Sequence, residues 1–505
     1  MYTGGNLVKA NHTCLIIGGG PAGSTAAALL AREGVDVTLV EREVFPRYHI
    51  GESLLPSLLE FLDLTGAREK VEAHGFQRKP GGHIVWGSQQ WDLIFDELSG
   101  SNTYSFQVIR SEFDHLLLNH AQSQGAKVIQ GVEVQKLHFD EQEQQRPVGA
   151  TLAETGAGGK TWDVTFDFLV DASGRNSILA SRYLRNRRYH EAFKNVAVWG
   201  YWKNTNRLPR PKEGAIATVS IPEGWIWAIP LHDGTMSVGV VMHKDSFKAK
   251  RAAQDLEEIY KDAIAQSPVV SQLLAPGERL PRELKVETDY SYVAARFAGP
   301  GYFMIGDAAC FLDPLLSTGV HLAMLSATLA AASLSSLLRG EVSSEEAQLF
   351  FEDSYRCAYL RLLVFVSTFY KLYDGKESIF WMAQQLSHHD TGDANLKSAF
   401  TNLVSGLSDL KDVNDAGETT RRLVLEEMSK QLEENVALRK DKETLLAVIE
   451  HDAQRVHEND AFFNKVRGNE APALSAEDAI QGMYVVSKPH LGLARVASTN
   501  GHPVA

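Results

Sequence analysis

Three glycines, Gly18, Gly20 and Gly23, are spaced as G-x-G-x-x-G, directly after the apolar run Thr13–Ile17 and directly before the Ala/Leu-rich stretch Ser24–Arg32. A dinucleotide needs that placement. Without Cβ atoms the backbone turns tightly and approaches a pyrophosphate, which then rests at the N-terminus of the following helix. Glu41 closes the next strand-like run, 18 residues beyond Gly23, where a carboxylate can accept a hydrogen bond from a ribose hydroxyl. Two more stretches carry chemistry. In Trp225-Ile226-Trp227-Ala228-Ile229-Pro230, read as a strand, the period of two puts Trp225, Trp227 and Ile229 on one face, a rigid apolar wall able to exclude water. Asp313-Pro314-Leu315-Leu316-Ser317-Thr318-Gly319 runs into a helical pattern, and backbone N–H groups at a helix start form an anion site.

The elements that must position these residues follow from periodicity. A strand at Thr13–Ile17, a helix ended by Gly34 and an alternating Val35, Val37, Leu39 make a βαβ unit. Further strands are expected at 127–130, 162–170, 196–202, 215–221, 226–230 and 236–242, with helices from Ser317 to Leu386 and an amphipathic helix within 421–458. Hydrophobic residues make up 44% and charged residues 22%, which places the 505-residue chain among globular proteins. Acids outnumber bases, 63 to 50, and the net charge of -13 argues against nucleic acid or an anionic membrane as the partner. Three cysteines without a C-x-x-C pattern, and no apolar leader in residues 1–10, point to a reducing cytoplasm. The apolar stretch 315–338 carries His321 and many small polar residues, so a buried helix is expected and no membrane span. Gly156–Thr161 imitates a P-loop but has Glu154 where the first glycine belongs and leads into a strand, so it reads as a turn. No metal ligand set is expected; His388-His389-Asp390 reads as a solvated loop.

Other segments carry a resemblance to a known family. Phe168-Leu169-Val170-Asp171-Ala172-Ser173-Gly174-Arg175 and Tyr302-Phe303-Met304-Ile305-Gly306-Asp307-Ala308-Ala309 resemble the second and third signature segments of flavoprotein hydroxylases. Arg110, in Gln107–Asp114, matches an arginine that reaches the FAD in that group. The W-x-W-x-I-P stretch at 225–230 resembles the motif of flavin-dependent halogenases, and Phe76-Gln77-Arg78-Lys79-Pro80-Gly81 resembles their lysine-bearing F-x-x-K-x-G. Arg47-Tyr48-His49-Ile50-Gly51-Glu52-Ser53-Leu54-Leu55-Pro56 is similar to their flavin-side strap. Within the halogenases, Gly51–Leu54 and Phe380–Ala383 resemble the phenol and pyrrole branch more than the tryptophan branch.

The resemblance implies an α/β fold on the plan of para-hydroxybenzoate hydroxylase. It has a Rossmann-like FAD domain from 11–60, 105–185 and 285–340, a β-rich substrate domain from 61–104 and 186–284, and a helical region at 341–505 behind an N-terminal tail, 1–10. It implies FAD contacts at Gly18, Gly20, Ala22, Gly23, Glu41, Arg42, Arg47, Arg110, Asp307 and Val320, and chloride or bromide held at Ser317, Thr318 and Gly319. The implied catalytic residues are Lys79, Trp225 and Trp227. FADH2 from a separate flavin reductase reacts with oxygen to a C4a-hydroperoxide, and halide is oxidised to hypohalous acid. Lys79 delivers the halogen, as an ammonium donor or a chloramine, to an electron-rich aromatic, free or tethered to a carrier protein. A low lysine pKa, from burial or from Arg78 nearby, favours the amine. A single-component aromatic hydroxylase using NAD(P)H is the alternative enzyme on this fold, and a flavin-binding scaffold without turnover is the alternative outside catalysis.

Overall fold

The computed structural model describes residues 11–371, apart from 88, 98–102, 144, 157, 191–193 and 289–290, together with 479–480 and 482–496. The apolar run at its start forms β1 (Asn11–Ile17), and Pro21, whose missing N–H costs nothing in a first turn, starts α1 (Pro21–Arg32) three residues earlier than expected. The chain continues through β2 (Val37–Glu41), α2 (Leu58–Thr65), α3 (Arg68–His74), β3 (Gln77–Lys79), β4 (Gly81–Trp86), β5 (Gln89–Ile94), β6 (Ser105–Gln107) and α4 (Arg110–Ser123). Then come β7 (Lys127–Gln130), β8 (Val132–Phe139), β9 (Pro147–Glu154) and β10 (Thr161–Asp171). The 140–146 and 155–160 segments connect antiparallel strands, and the latter, expected as a turn, enters β10 and no helix.

The first sheet has β10, β1, β2 and β7 in parallel, extended beyond β10 by the parallel strand Tyr302–Met304. The centre of the sheet is apolar where α1, α4 and two later helices cover it: β2 is buried at all five positions, whereas β7 and the first half of β10 carry exposed polar residues. One of those helices, Gly319–Leu338, is apolar and long enough to cross a membrane, yet 94% of its apolar window is buried inside the protein, so it is a core helix, as expected. The other is Ser344–Lys371.

After the short strand β11 (Arg187–Tyr189), a second sheet, with β12 (Asn195–Lys203), β13 (Ile216–Ile221), β14 (Gly224–Pro230) and β15 (Met236–His243), runs in the order β12-β15-β14-β13-β4-β5. Alternation sorts its two faces. Trp225, Trp227 and Ile229 join the core shared with the first sheet, together with Trp199 and Ala197, whereas Ile226 and Ala228 join a separate core under the helices at 256–265 and 268–274. The cross-strand register is Trp199 to Gly239 to Trp227. A Cβ on Gly239 would lie 2.0 Å from the Trp227 ring, so this glycine is the seat of the indole.

Three boundaries differ from expectation. Helices α2 and α3 pack against α1, α4 and helix 319–338, so residues 61–74 belong with the first sheet's layers. Strand Lys285–Thr288 pairs with β12 in the second sheet, which moves the junction beyond residue 284. The region after 341 is not wholly helical: Met483–Val486 and Gly492–Arg495 form an antiparallel hairpin packed on helix 319–338. Periodicity could not show these, because each depends on which distant element offers an apolar face. The expected helix within 421–458, Phe380–Ala383 and His388–Asp390 lie outside the described residues.

Gly239→Val should lower stability by about 2–3 kcal/mol, the cost of overpacking a filled site, and should shift the tryptophan emission as Trp227 is displaced. Denaturant titration and fluorescence check both.

Candidate functional site

Where β1, β2 and β10 end, the first sheet meets the Trp face of the second, and a continuous cavity of about 650 Å³ lies between them. Ligands of parallel sheets bind beyond the carboxyl ends of the strands, which is where the glycine turn stands. Gly23 is required by the protein itself, since a Cβ there would lie 1.9 Å from the Gly18 carbonyl oxygen. Gly20 is not. A Cβ there meets only the far end of Arg47 at 3.4 Å, and the position opens into the cavity. The missing side chain at Gly20 therefore leaves room for a ligand.

Glu41, buried and lining the cavity, already accepts the Gly19 N–H at 2.6 Å and the Glu43 N–H at 2.9 Å. It braces the glycine turn, with its remaining lone pairs available to a ribose. Arg42 is largely exposed at the rim and pairs with Glu43. Arg47 lies beside Gly20 and forms an ion pair with Asp114 at 3.1 Å. Arg110 is mostly committed elsewhere. It grips Asp114 through two bonds of 2.8 and 3.0 Å and donates to the carbonyls of Ile50 and Gly51 at 2.8 and 3.2 Å. Burial alone would raise the Asp114 carboxyl, and the two guanidiniums instead hold it below the ordinary range.

Asp307 also faces the cavity, and its carboxylate accepts no hydrogen bond from the described residues. Burial pushes it up to about 6 against the pull of Arg175, Arg110 and Arg187. A partly buried carboxylate without a protein donor suits a polyhydroxy chain such as the ribityl of FAD. Ala22 and Val320 line the same space. Asp171 does not: it is spent on the N–H groups of Ser173 and Leu179, shaping the loop that brings Ser173–Arg175 to the cavity wall. The glycine turn, the bare position 20 and the unpaired Asp307 together fit FAD.

At the far end, Ser317, Thr318 and Gly319 begin the helix 319–338, and all three line the cavity. Ser317 has φ +60°, a left-handed turn that swings the chain into the helix and presents its first-turn N–H groups to the space. Trp225 and Trp227 close this end, their rings 5.9 Å apart, and Trp227 donates to the Ser237 hydroxyl at 3.2 Å.

Sequence reasoning missed the third indole, Trp199, 6.3 Å from Trp227. It also missed a hydrogen-bonded chain: Trp199 Nε1 donates to Tyr48 at 2.6 Å, Tyr48 and Tyr201 share a bond of 2.9 Å, and Tyr201 donates to Glu52 at 2.8 Å. Burial pushes Glu52 up to about 7, against hydrogen bonds that lower it. The strap motif marked Tyr48 and Glu52; nothing local marked Trp199 or Tyr201, which reach the strap only through strand pairing.

Lys79 is 3% exposed and stands behind the strap, outside the cavity lining. Its Nζ donates to the Leu54 carbonyl at 2.9 Å and lies 5.5 Å from the Phe95 ring centre. Burial lowers it to about 7, so a neutral amine is accessible near neutrality. Arg78 is not the cause, since its guanidinium stacks on Tyr104, 4.3 Å away.

The chain matches the family described as tryptophan halogenase over residues 13–96 and 95–405. A tryptophan 2-halogenase of Chondromyces crocatus is 45% identical over 493 residues, covering 95% of this chain and 93% of the relative. A flavin-dependent halogenase of Armillaria mellea is 40% identical over 388 residues, 74% of each chain. Among solved structures, the myxobacterial chondrochloren halogenase superposes with a TM-score of 0.67 at 30% identity, covering 80% of this chain and 98% of the other.

Gly20→Val and Gly23→Val should separate ligand from fold. The first is expected to weaken FAD binding at least about tenfold with an unchanged melting temperature of the FAD-free protein, and the second to lower that temperature. Fluorescence titration and thermal melts read the two. A second test uses pH. Because folding lowers the Lys79 pKa, the buried charge weighs on stability below about pH 7, and stability recovers as pH rises from there towards 10.5. Lys79→Met is expected to raise the melting temperature most at pH 6, with the gain shrinking towards pH 10.

Proposed function

Because the chain belongs to the tryptophan halogenase family and is a flavin-dependent halogenase that uses FAD, we propose that it halogenates an electron-rich aromatic ring held on the far side of the Trp199–Trp225–Trp227 wall. The observation that carries this is the continuity of one cavity, in which the dinucleotide turn, the start of helix 319–338 and the tryptophan wall meet. Bound reduced FAD supplies the oxygen chemistry that makes halide electrophilic. The chain's own residues do the rest.

Gly20, Glu41 and Arg47 receive the pyrophosphate and its ribose, and Asp307 the ribityl hydroxyls. The first-turn N–H groups at Thr318 and Gly319 hold chloride or bromide, where the helix dipole favours an anion. The three indoles exclude water and keep the acceptor ring away from the cofactor. Lys79 holds the electrophilic halogen. Its low pKa allows both an ammonium that hydrogen-bonds hypohalous acid and an amine that carries the halogen covalently. Its bond to the Leu54 carbonyl ties that amine to the strap whose Glu52 faces the cavity.

The acceptor we assign first is an indole, since the relative matched along 95% of the chain is a tryptophan 2-halogenase. The strap Gly51–Leu54 favours phenols and pyrroles as a second reading. Position 2 of an indole lies in its pyrrole-like ring, so the indole and pyrrole acceptors share an electron-rich five-membered ring, whereas a phenol does not. Reduced FAD comes from a separate reductase.

In an assay with FAD, a flavin reductase, NADH, oxygen and chloride or bromide, read by mass spectrometry over indoles, phenols, pyrroles and carrier-bound acyl groups, halogenated indole is expected only when every component is present. Lys79→Ala and Lys79→Arg should both abolish product while FAD affinity stays at the parent value. NADH oxidation stimulated by substrate without a reductase would restore the hydroxylase reading.

A further inference from the structure

Outside the cavity, three side chains from separate segments converge on one point. His74, the last residue of α3, directs Nε2 at Glu112 Oε2 at 2.8 Å, and His232 directs its own Nε2 at the same oxygen at 3.1 Å. Glu112 stands in the first turn of α4. The candidate ligand atoms of all three lie within 4.8 Å of one another. His74 is exposed and the other two are half-buried, so water has access.

We propose that His74, Glu112 and His232 form a binding site for a divalent transition cation of the Zn2+ class. Two imidazoles bound through Nε2 to one tetrahedral cation, at about 2.0–2.1 Å each, stand with ring centres about 5 Å apart. Here the separation is 5.6 Å with the planes at 71°. Ligand atoms around such a cation stand about 3.3 Å apart, so the observed 2.8 and 3.1 Å to Glu112 would open by a few tenths of an ångström, and the histidine ligand atoms, within 4.8 Å of each other, would adjust to the same spacing. Two imidazoles and one carboxylate are the donors that borderline cations prefer, and the partial exposure leaves a fourth position to water.

The place of the cluster in the chain gives the cation a task. Phe76, buried, stacks on His74 at 4.2 Å and meets His232 edge-on at 5.3 Å. It opens the Phe76–Gly81 stretch that carries Lys79. His232 follows the Trp225–Pro230 stretch by two residues. A cation bound here ties the two halogenase segments to each other and to α4, whose Arg110 grips the strap. It is a structural clamp outside the cavity and takes no part in the chemistry there. With His74, Glu112 and His232 separated by 38 and 120 residues, no sequence motif announces the site, which is why none was expected.

Untagged full-length protein, freed of metal with a chelator, would be titrated with Co2+ and followed by its visible absorption, with Zn2+ binding followed by native mass spectrometry. One equivalent should bind with at least micromolar affinity, and Zn2+ should raise the melting temperature. His74→Ala and His232→Ala should each weaken binding at least about tenfold, with metal-free melting temperature and FAD affinity at the parent values. Absence of saturable Co2+ and Zn2+ binding at micromolar concentration would overturn the proposal, as would binding that survives both histidine substitutions.

Discussion

A single carboxylate holds the site together. Asp114 has no solvent-exposed surface, and it stays charged only because Arg110 and Arg47 close on it. Removing one partner from a buried ion pair costs about 3–5 kcal/mol, since the other charge is left without compensation. The pair network extends beyond its own energy. Through Arg110 it reaches the carbonyls of Ile50 and Gly51, and through Arg47 it places a cation beside Gly20. The strap is thereby fixed at one end, and from it hang Glu52, which joins the tyrosine chain, and Leu54, which accepts from Lys79. Cofactor turn, aromatic wall and lysine thus refer their positions to one buried charge on α4.

The second constraint is steric. Two indoles on strands either side of β15 can approach each other only where β15 offers no side chain, and Gly239 is that gap. The sheet face opposite is ordinary: Ile226, Ala228, Val238 and Val240 fill the core under the helices at 256–265 and 268–274. One strand, β14, therefore serves two environments by strict alternation, structural on one side and functional on the other.

How far the sequence could be read follows from the range of the interactions. The glycine turn, β1, α1 and the common face of Trp225 and Trp227 depend on neighbours within a few residues, and their periods and spacing were legible. The resemblance to flavoprotein segments located Asp307, Arg110 and the start of helix 319–338. Illegible were features made by strand order: Trp199 beside Trp227, Tyr201 on Glu52, and the position of Lys79 behind the strap. Arg110 shows the limit of a motif. It lines the cavity, yet its guanidinium is mostly spent on Asp114 and the strap, which only the fold could reveal. Glu41 likewise braces the turn with the oxygens that were assigned to a ribose.

The hairpin at 483–495 closes the outer surface of helix 319–338. Met483, Val485, Leu491 and Leu493 are buried there, Leu493 donates to Ser336, and the Leu491 N–H reaches Glu33, at the end of α1, 458 positions earlier in the chain. During synthesis, then, the helices that flank the cofactor layer are made long before the segment that covers them. A nascent chain lacks the hairpin's cover on this helix until residue 495 has been added, and exposed apolar surface is what aggregation and chaperones act on. The yield of soluble protein should therefore depend on the far end of the chain, although every residue assigned to catalysis lies before residue 321.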